Sequence, residues 1–205
     1  MDAIDRGQFL RLGAAGLAAA AAGGLSAAPA SAALPPPAPV GDDLSWLQLG
    51  YVGELVSTAL YAAAAKAPGW TRSERRWIDL LERADRGHLE RLRAALGAEA
   101  PGDGDFAVEL PAAVSRSRRA ALQLAGRIEA ALTGVYLSGS YQAQDPATRL
   151  LLARLAAADA QHQATLRVLR GVPATSGKLP GPALLEQAAT VVDRYVTVPD
   201  APPVP

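Results

Sequence analysis

Hydrophobic residues from position 44 onward recur at intervals of three and four, the spacing that places them on one face of a helix. No stretch alternates apolar and polar residues as a half-buried strand does. Breaker and capping residues divide the pattern into four long helices and a shorter amphipathic one, expected at 44–66, 71–96, 111–141, 146–170 and 182–196. The predicted fold class is therefore all-α.

The lengths of the connections predict the topology. Short links join the first helix to the second and the third to the fourth, so each pair should form an antiparallel hairpin. The 14 residues at 97–110 can reach roughly 45 Å at about 3.3 Å per residue, which is the length of a bundle of this size. We therefore expect a four-helix bundle with one long crossover between helices 2 and 3, plus a short C-terminal helix.

The two predicted hairpins carry the same polar residues at matching places. Asp-x-x-His occurs twice and contains both histidines of the chain, and Glu-x-x-x-Thr-x-x-Tyr also occurs twice. Each glutamate precedes the histidine of its own hairpin by nearly the same interval, 34 residues in one and 33 in the other. This agreement predicts that the hairpins are copies of one unit.

The repeated residues are expected to meet at one depth of the bundle. At a rise of 1.5 Å per residue, each glutamate lies level with the Asp-x-x-His of its partner helix, about 18 Å from the connecting loop. Four carboxylates and two imidazoles suit two divalent ions, iron or manganese foremost and zinc as a further option. The candidate metal ligands are Glu54, Asp85, His88, Glu129, Asp159 and His162.

Two interpretations of this cluster stay open at the level of sequence. The residues bind metal, or they form a degenerate site in which carboxylates and histidines pair as buried, hydrogen-bonded ions. Tyr61 and Tyr136, on the glutamate faces, are candidate cofactor-binding residues that hydrogen-bond the ligand carboxylates or act in redox steps; the alternative is a packing role. Thr58 and Thr133 are expected to bond carbonyl groups of their own helices.

At these positions the chain resembles the ferritin-like superfamily of carboxylate-bridged di-metal proteins, and in particular its exported bacterial members. In that pattern two helices each carry a glutamate, here Glu54 and Glu129, and two others each carry Glu-x-x-His. The resemblance covers about 44–170 and implies a ferritin-like bundle with a di-metal centre. It departs from the pattern at Asp85 and Asp159, which stand where glutamate is usual and are one methylene shorter.

Residues 1–33 predict an export signal, with an apolar stretch and a small-x-small cleavage site at 30–32. The segment resembles a twin-arginine signal, although Gly7 stands where the second arginine is expected; a general secretory signal or an uncleaved anchor are the alternatives. A Pro-rich linker at 34–43, the bundle at 44–171, and a C-terminal helix with a Pro-rich tail at 172–205 follow. We expect the mature chain in the periplasm, the cell wall or outside the cell, with no stable membrane span.

Composition narrows the functions that fit. Twenty basic and twenty acidic side chains cancel, so nucleic acid is not an expected partner. Because the chain has no cysteine, any metal must be held by oxygen and nitrogen. The apolar stripe of the C-terminal helix is expected to cover its own bundle, with a homodimer as the other option.

Two functions therefore remain. One is a metal-binding oxidoreductase-like protein that uses dioxygen or peroxide. The other is a non-catalytic helical envelope or stress-protection protein with a degenerate metal site.

Overall fold

A computed structural model describes residues 43–175 and 180–199, and four long helices account for most of them. The long helices are α1 (Asp43–Ala64), α2 (Arg72–Leu96), α4 (Arg118–Gln142) and α5 (Pro146–Leu169); the short ones are α3 (Ala113–Arg116) and α6 (Leu185–Val192). Short 3-10 turns lie at Gly97–Glu99 and Asp193–Tyr195. The all-α fold class predicted from the sequence is confirmed.

Capping residues explain where the second and last long helices begin. Thr71 accepts a hydrogen bond from the backbone of Glu74, whose side chain accepts one from the Thr71 backbone, so a capping box begins α2. Asp145 caps α5, because its side chain accepts a hydrogen bond from the backbone N–H of Thr148. Pro146 occupies the first turn, where its missing N–H is not needed. Gly97 ends α2 with a positive φ of 57°. These signals are local, which is why the sequence predicts them well.

The helices form two antiparallel hairpins joined by one long crossover, as predicted. The first hairpin is α1 with α2 and the second is α4 with α5. Helices α1 and α4 pack against each other in antiparallel directions, because Trp46 near the start of α1 lies beside Gly139 near the end of α4, while Tyr61 reaches back to Glu129. Since α1 is antiparallel to both α2 and α4, the latter two run parallel.

The prediction of one continuous helix at 111–141 is wrong, because the helix is interrupted at Ser117. This residue has an extended backbone (φ −143°, ψ 115°), and its side chain accepts a hydrogen bond from the N–H of Ala120. Serine competes with helix hydrogen bonds in this way and favours a cap over a helix interior. The segment is therefore a single turn, α3, followed by α4.

Two short strands pair the crossover with the C-terminal segment. The sequence pattern did not predict these strands. Strand β1 (Ala107–Val108) pairs in antiparallel fashion with β2 (Val196–Thr197). The predicted C-terminal helix is consequently too long: α6 ends at Val192, before the 3-10 turn and β2. Its buried face, Ala188 and Val192, packs on α4 and α1 of its own bundle, the arrangement we favoured.

Some sequence predictions lie outside the described residues. The export signal at 1–33 and the linker at 34–43 are among them, apart from the last linker residue, Asp43, which begins α1. Within residues 43–175 and 180–199, the structure contains no helix with the length and apolar character that a membrane span requires.

Close approach of the two hairpins depends on glycine at Gly139. A methyl group added there would lie 2.6 Å from Cδ1 of Leu152 and 3.2 Å from the ring of the buried Trp46. The position therefore sets how near α1 and α5 come to α4.

We predict that Gly139→Ala lowers the free energy of unfolding by about 1–3 kcal/mol through overpacking. Gly126→Ala is the matched control on the same helix, because its nearest neighbour is an arginine tip 3.8 Å away. That control should raise stability by about 0.5–1 kcal/mol through helix propensity. Urea denaturation measures both; equal gains in the two variants would contradict the role of Gly139.

Candidate metal centre

The six predicted ligands lie together in the middle of the bundle. Every one is buried, with at most 6% of its surface exposed. Glu54 comes from α1, Glu129 from α4, and the two Asp-x-x-His pairs from α2 and α5. Within each helix the aspartate and histidine are three residues apart, so they share one face. The convergence expected from helix spacing is present in the structure.

Each glutamate contacts the histidine of its own hairpin. Nδ1 of His88 lies 3.1 Å from Oε1 of Glu54, and Nδ1 of His162 lies 3.4 Å from Oε2 of Glu129. These contacts follow from the level placement of glutamate and histidine in antiparallel helices. The same ring nitrogen faces the carboxylates in both halves.

The aspartates, by contrast, approach the histidine of the other hairpin. Oδ1 of Asp159 is 3.5 Å from Nδ1 of His88, and Oδ1 of Asp85 is 3.3 Å from Nδ1 of His162. Each aspartate is farther, 3.9 Å, from the histidine on its own helix. The two imidazole rings stack with centroids 5.6 Å apart and planes at 13°. Within each Asp-x-x-His motif, the aspartate therefore lies closer to the histidine of the other hairpin than to the histidine on its own helix.

The two tyrosines also cross between the hairpins. The hydroxyl of Tyr61 donates to Oε1 of Glu129 at 2.7 Å, and that of Tyr136 donates to Oε1 of Glu54 at 2.8 Å. Burial, followed by the nearby carboxylates, raises the pKa of both tyrosines well above the usual value. Their hydroxyls therefore remain protonated donors, which orient the glutamates. The predicted hydrogen bonds from the tyrosines to the glutamates are present.

Sequence reasoning missed Ser57, whose hydroxyl is 3.2 Å from Oε1 of Glu129. The matching position in the other hairpin is Leu132, so Glu54 has no corresponding hydroxyl donor. This break in the repeat is the signal that could have identified Ser57. Thr133 bonds the carbonyl of Glu129 at 2.8 Å as predicted. The same prediction for Thr58 is wrong, because its buried hydroxyl has no hydrogen-bond partner.

Burial dominates the electrostatics of the site. It raises the pKa of Asp85 and Asp159 well above the usual value, and the charges of Glu54 and Glu129 raise it further. Burial likewise raises the pKa of Glu54, against the opposing effect of His88. Burial lowers the pKa of His162, but its contacts with glutamate outweigh this and leave the pKa raised. The cluster thus lacks enough positive charge for its carboxylates.

Six of the eight carboxylate oxygens accept no hydrogen bond, namely both oxygens of Asp85 and of Asp159, and one each of Glu54 and Glu129. Buried polar atoms without partners are rare in native proteins, because each one costs free energy. Two triads, Glu54–Asp85–His88 and Asp85–Glu129–His162, each offer ligand atoms within 4.8 Å of one another. These donors have the chemistry and the spacing to hold a metal ion.

Fold and cluster together define a four-helix bundle with a buried carboxylate and histidine site. Residues 42–172 match the family described as the ferritin-like domain, and the chain belongs to that family. A comparison with curated proteins finds no match.

We predict that the metal-free protein is less stable at pH 7.5 than at pH 5. The folded-state pKa of both aspartates is raised, so the stability that their protonated forms contribute is present at acidic pH and disappears as the pH rises through the raised pKa. The variant Asp85→Asn/Asp159→Asn should melt several degrees above the metal-free protein at pH 7.5, and the difference should shrink toward pH 5.

Thermal unfolding of chelator-treated protein across this pH range measures the effect. Glu90→Gln/Glu99→Gln removes two exposed acids instead and is the matched control. A similar gain in the control, or a gain that grows toward acidic pH, would contradict the assignment to the buried aspartates.

Proposed function

We propose that this protein binds two divalent metal ions, iron or manganese, in the core of the bundle and serves redox chemistry with dioxygen or peroxide. The observation that supports it best is the set of six buried carboxylate oxygens without hydrogen bonds, beside two imidazole nitrogens. Metal ions are the partners that such oxygens and nitrogens accept together.

Charge balance supports two ions rather than one. Four ionised carboxylates carry four negative charges, and among the described residues no lysine or arginine contacts them. Two divalent ions supply four positive charges and leave both histidines neutral, which is the form that binds metal. Without cations some of these carboxylates must take up protons, as the raised pKa of Glu54, Asp85 and Asp159 indicates.

The two triads suggest how the ligands divide between the ions. Glu54 and His88 would hold one ion, and Glu129 and His162 the other. Asp85 belongs to both triads and would be shared, whereas Asp159 belongs to neither and lies nearest to His88 at 3.5 Å. The two aspartates therefore have different roles in this proposal, although their motifs are identical.

A pair of such ions supplies Lewis acidity and, for iron or manganese, electrons for the reduction of dioxygen or peroxide. The protein contributes orientation and a site shielded from water. Tyr61 and Tyr136 hold the glutamates in place through the hydrogen bonds that their hydroxyls donate. The surrounding core, including Leu60, Leu92 and Leu166, excludes water from the cluster.

A non-catalytic helical protein with a degenerate site is the second candidate. The 3.1 Å contact between His88 and Glu54 supports it, because the imidazole already has one carboxylate partner within the protein. The shorter aspartates, in place of the family's usual glutamates, support it as well. Metal binding separates the two functions.

We predict that the chelator-treated full chain takes up about two equivalents of Fe(II), without oxygen, or of Mn(II), because two triads are present. The variant Asp85→Asn/Asp159→Asn should retain less than one equivalent, while Glu90→Gln/Glu99→Gln should retain two. Calorimetric titration and elemental analysis measure the stoichiometry. Less than one equivalent in the unaltered protein, or no loss in the aspartate variant, would favour the second candidate.

We further predict that Tyr136→Phe weakens Mn(II) affinity roughly 10–100-fold, the usual effect of losing a hydrogen bond that orients a ligand. Tyr61→Phe should weaken it less, because Ser57 still donates to Oε1 of Glu129. Adding Ser57→Ala to Tyr61→Phe should bring the loss to the Tyr136→Phe level. Calorimetric titration tests this order, and equal losses in the two single variants would contradict it.

A further inference from the structure

A cavity of about 500 Å³ lies between α2 and α5, beside the cluster of carboxylates and histidines. His88, whose Nδ1 faces the carboxylates, forms part of its wall. Arg91 and Arg154 also line it, together with Leu150, Leu151 and Leu155. The volume is sufficient for a small organic molecule.

The two arginines give the cavity positive charge without compensation. Among the described residues, neither Arg91 nor Arg154 forms an ion pair or a hydrogen bond. Some exposed arginines of α2, such as Arg76 and Arg83, also have no acidic partner in the described part of the chain, so Arg91 and Arg154 are distinguished by their shared place at the cavity. Two unpaired guanidinium groups at one cavity favour an anionic ligand, because guanidinium matches carboxylate in a two-pronged hydrogen bond.

The N-terminus of α5 adds to this preference for an anionic ligand. Ala147, in the first turn of the 24-residue helix α5, also lines the cavity. The N-terminus of a helix carries partial positive charge, which favours an anion nearby. The two arginines and the N-terminus of α5 therefore both favour a negatively charged ligand.

The apolar wall indicates the rest of the ligand. Leu150, which is 51% exposed, lines the cavity, and the more buried Leu151 and Leu155 extend its apolar surface inward. An inorganic anion would leave this surface uncovered. A molecule with an apolar body and one carboxylate would use both parts of the cavity.

The arginine pair, with one member on each hairpin, has no counterpart at the positions that the repeat relates to it. When the two Asp-x-x-His motifs are aligned, Thr165 stands at the position that matches Arg91, and Leu80 at the position that matches Arg154. The pair is therefore not a property of the repeated pattern.

We propose that this cavity binds a small organic carboxylate, with its charged end at Arg91 and Arg154 and its apolar body against the three leucines, beside His88. The site needs no metal. Its test is therefore made on chelator-treated full-length protein and stays independent of the proposed metal function.

Octanoate is the probe, and calorimetric titration gives its affinity. We expect Arg91→Gln/Arg154→Gln to weaken octanoate binding at least about 10-fold, as the loss of charge-assisted hydrogen bonds requires. The matched control, Arg76→Gln/Arg83→Gln, removes two exposed arginines of α2 that do not line the cavity, and it should leave the affinity unchanged. Octanol, without the charge, and inorganic phosphate, without the apolar body, should each bind at least about 10-fold more weakly than octanoate.

The two histidines report the location of the ligand. Octanoate should shift the imidazole NMR signals of His88 more than those of His162, because only His88 borders the cavity. The assignment of the two signals follows from the His162→Gln variant. Absence of octanoate binding, binding that survives the Arg91→Gln/Arg154→Gln change, or phosphate binding as tight as octanoate would overturn the proposal.

Discussion

The burial of four carboxylates at one level of a helical bundle is the constraint on which the rest of this structure depends. Carboxylates in a dry core must be neutralised by protons, by cationic partners or by metal. Two histidines contact these carboxylates, and two tyrosines each donate one hydrogen bond to them. Six carboxylate oxygens still accept no hydrogen bond, and this distinguishes the cluster from an ordinary polar core.

The site is nearly symmetric, and its departures from symmetry carry information. Ser57 assists one glutamate, and Leu132 replaces it in the other half. Asp85 belongs to both candidate triads and Asp159 to neither, although both sit in the same motif. Arg91 and Arg154 line a cavity at one histidine alone. Two ions bound here would therefore occupy unequal environments.

Helix periodicity and capping were enough to predict the bundle, the crossover and the six converging residues, because all of these depend on spacing within single helices. The break at Ser117 was missed because a serine cap competes with a helix by a small energy difference. The strand pair was missed because two-residue strands carry no periodic signal. The approach of each aspartate to the opposite histidine depends on how the hairpins are rotated against each other, which spacing along one helix does not contain.

The tyrosine and glutamate contacts have a consequence for how the chain reaches its native state. Each joins residues of different hairpins, 68 positions apart in one case and 82 in the other. Such distant contacts form after the local helical hairpins, since closing a long loop costs entropy that only later contacts repay. Before the hairpins dock, each glutamate has the histidine of its own hairpin nearby but lacks its tyrosine donor. The cluster therefore matures late, and a metal ion would meet its complete set of donors only in a chain that has already docked correctly.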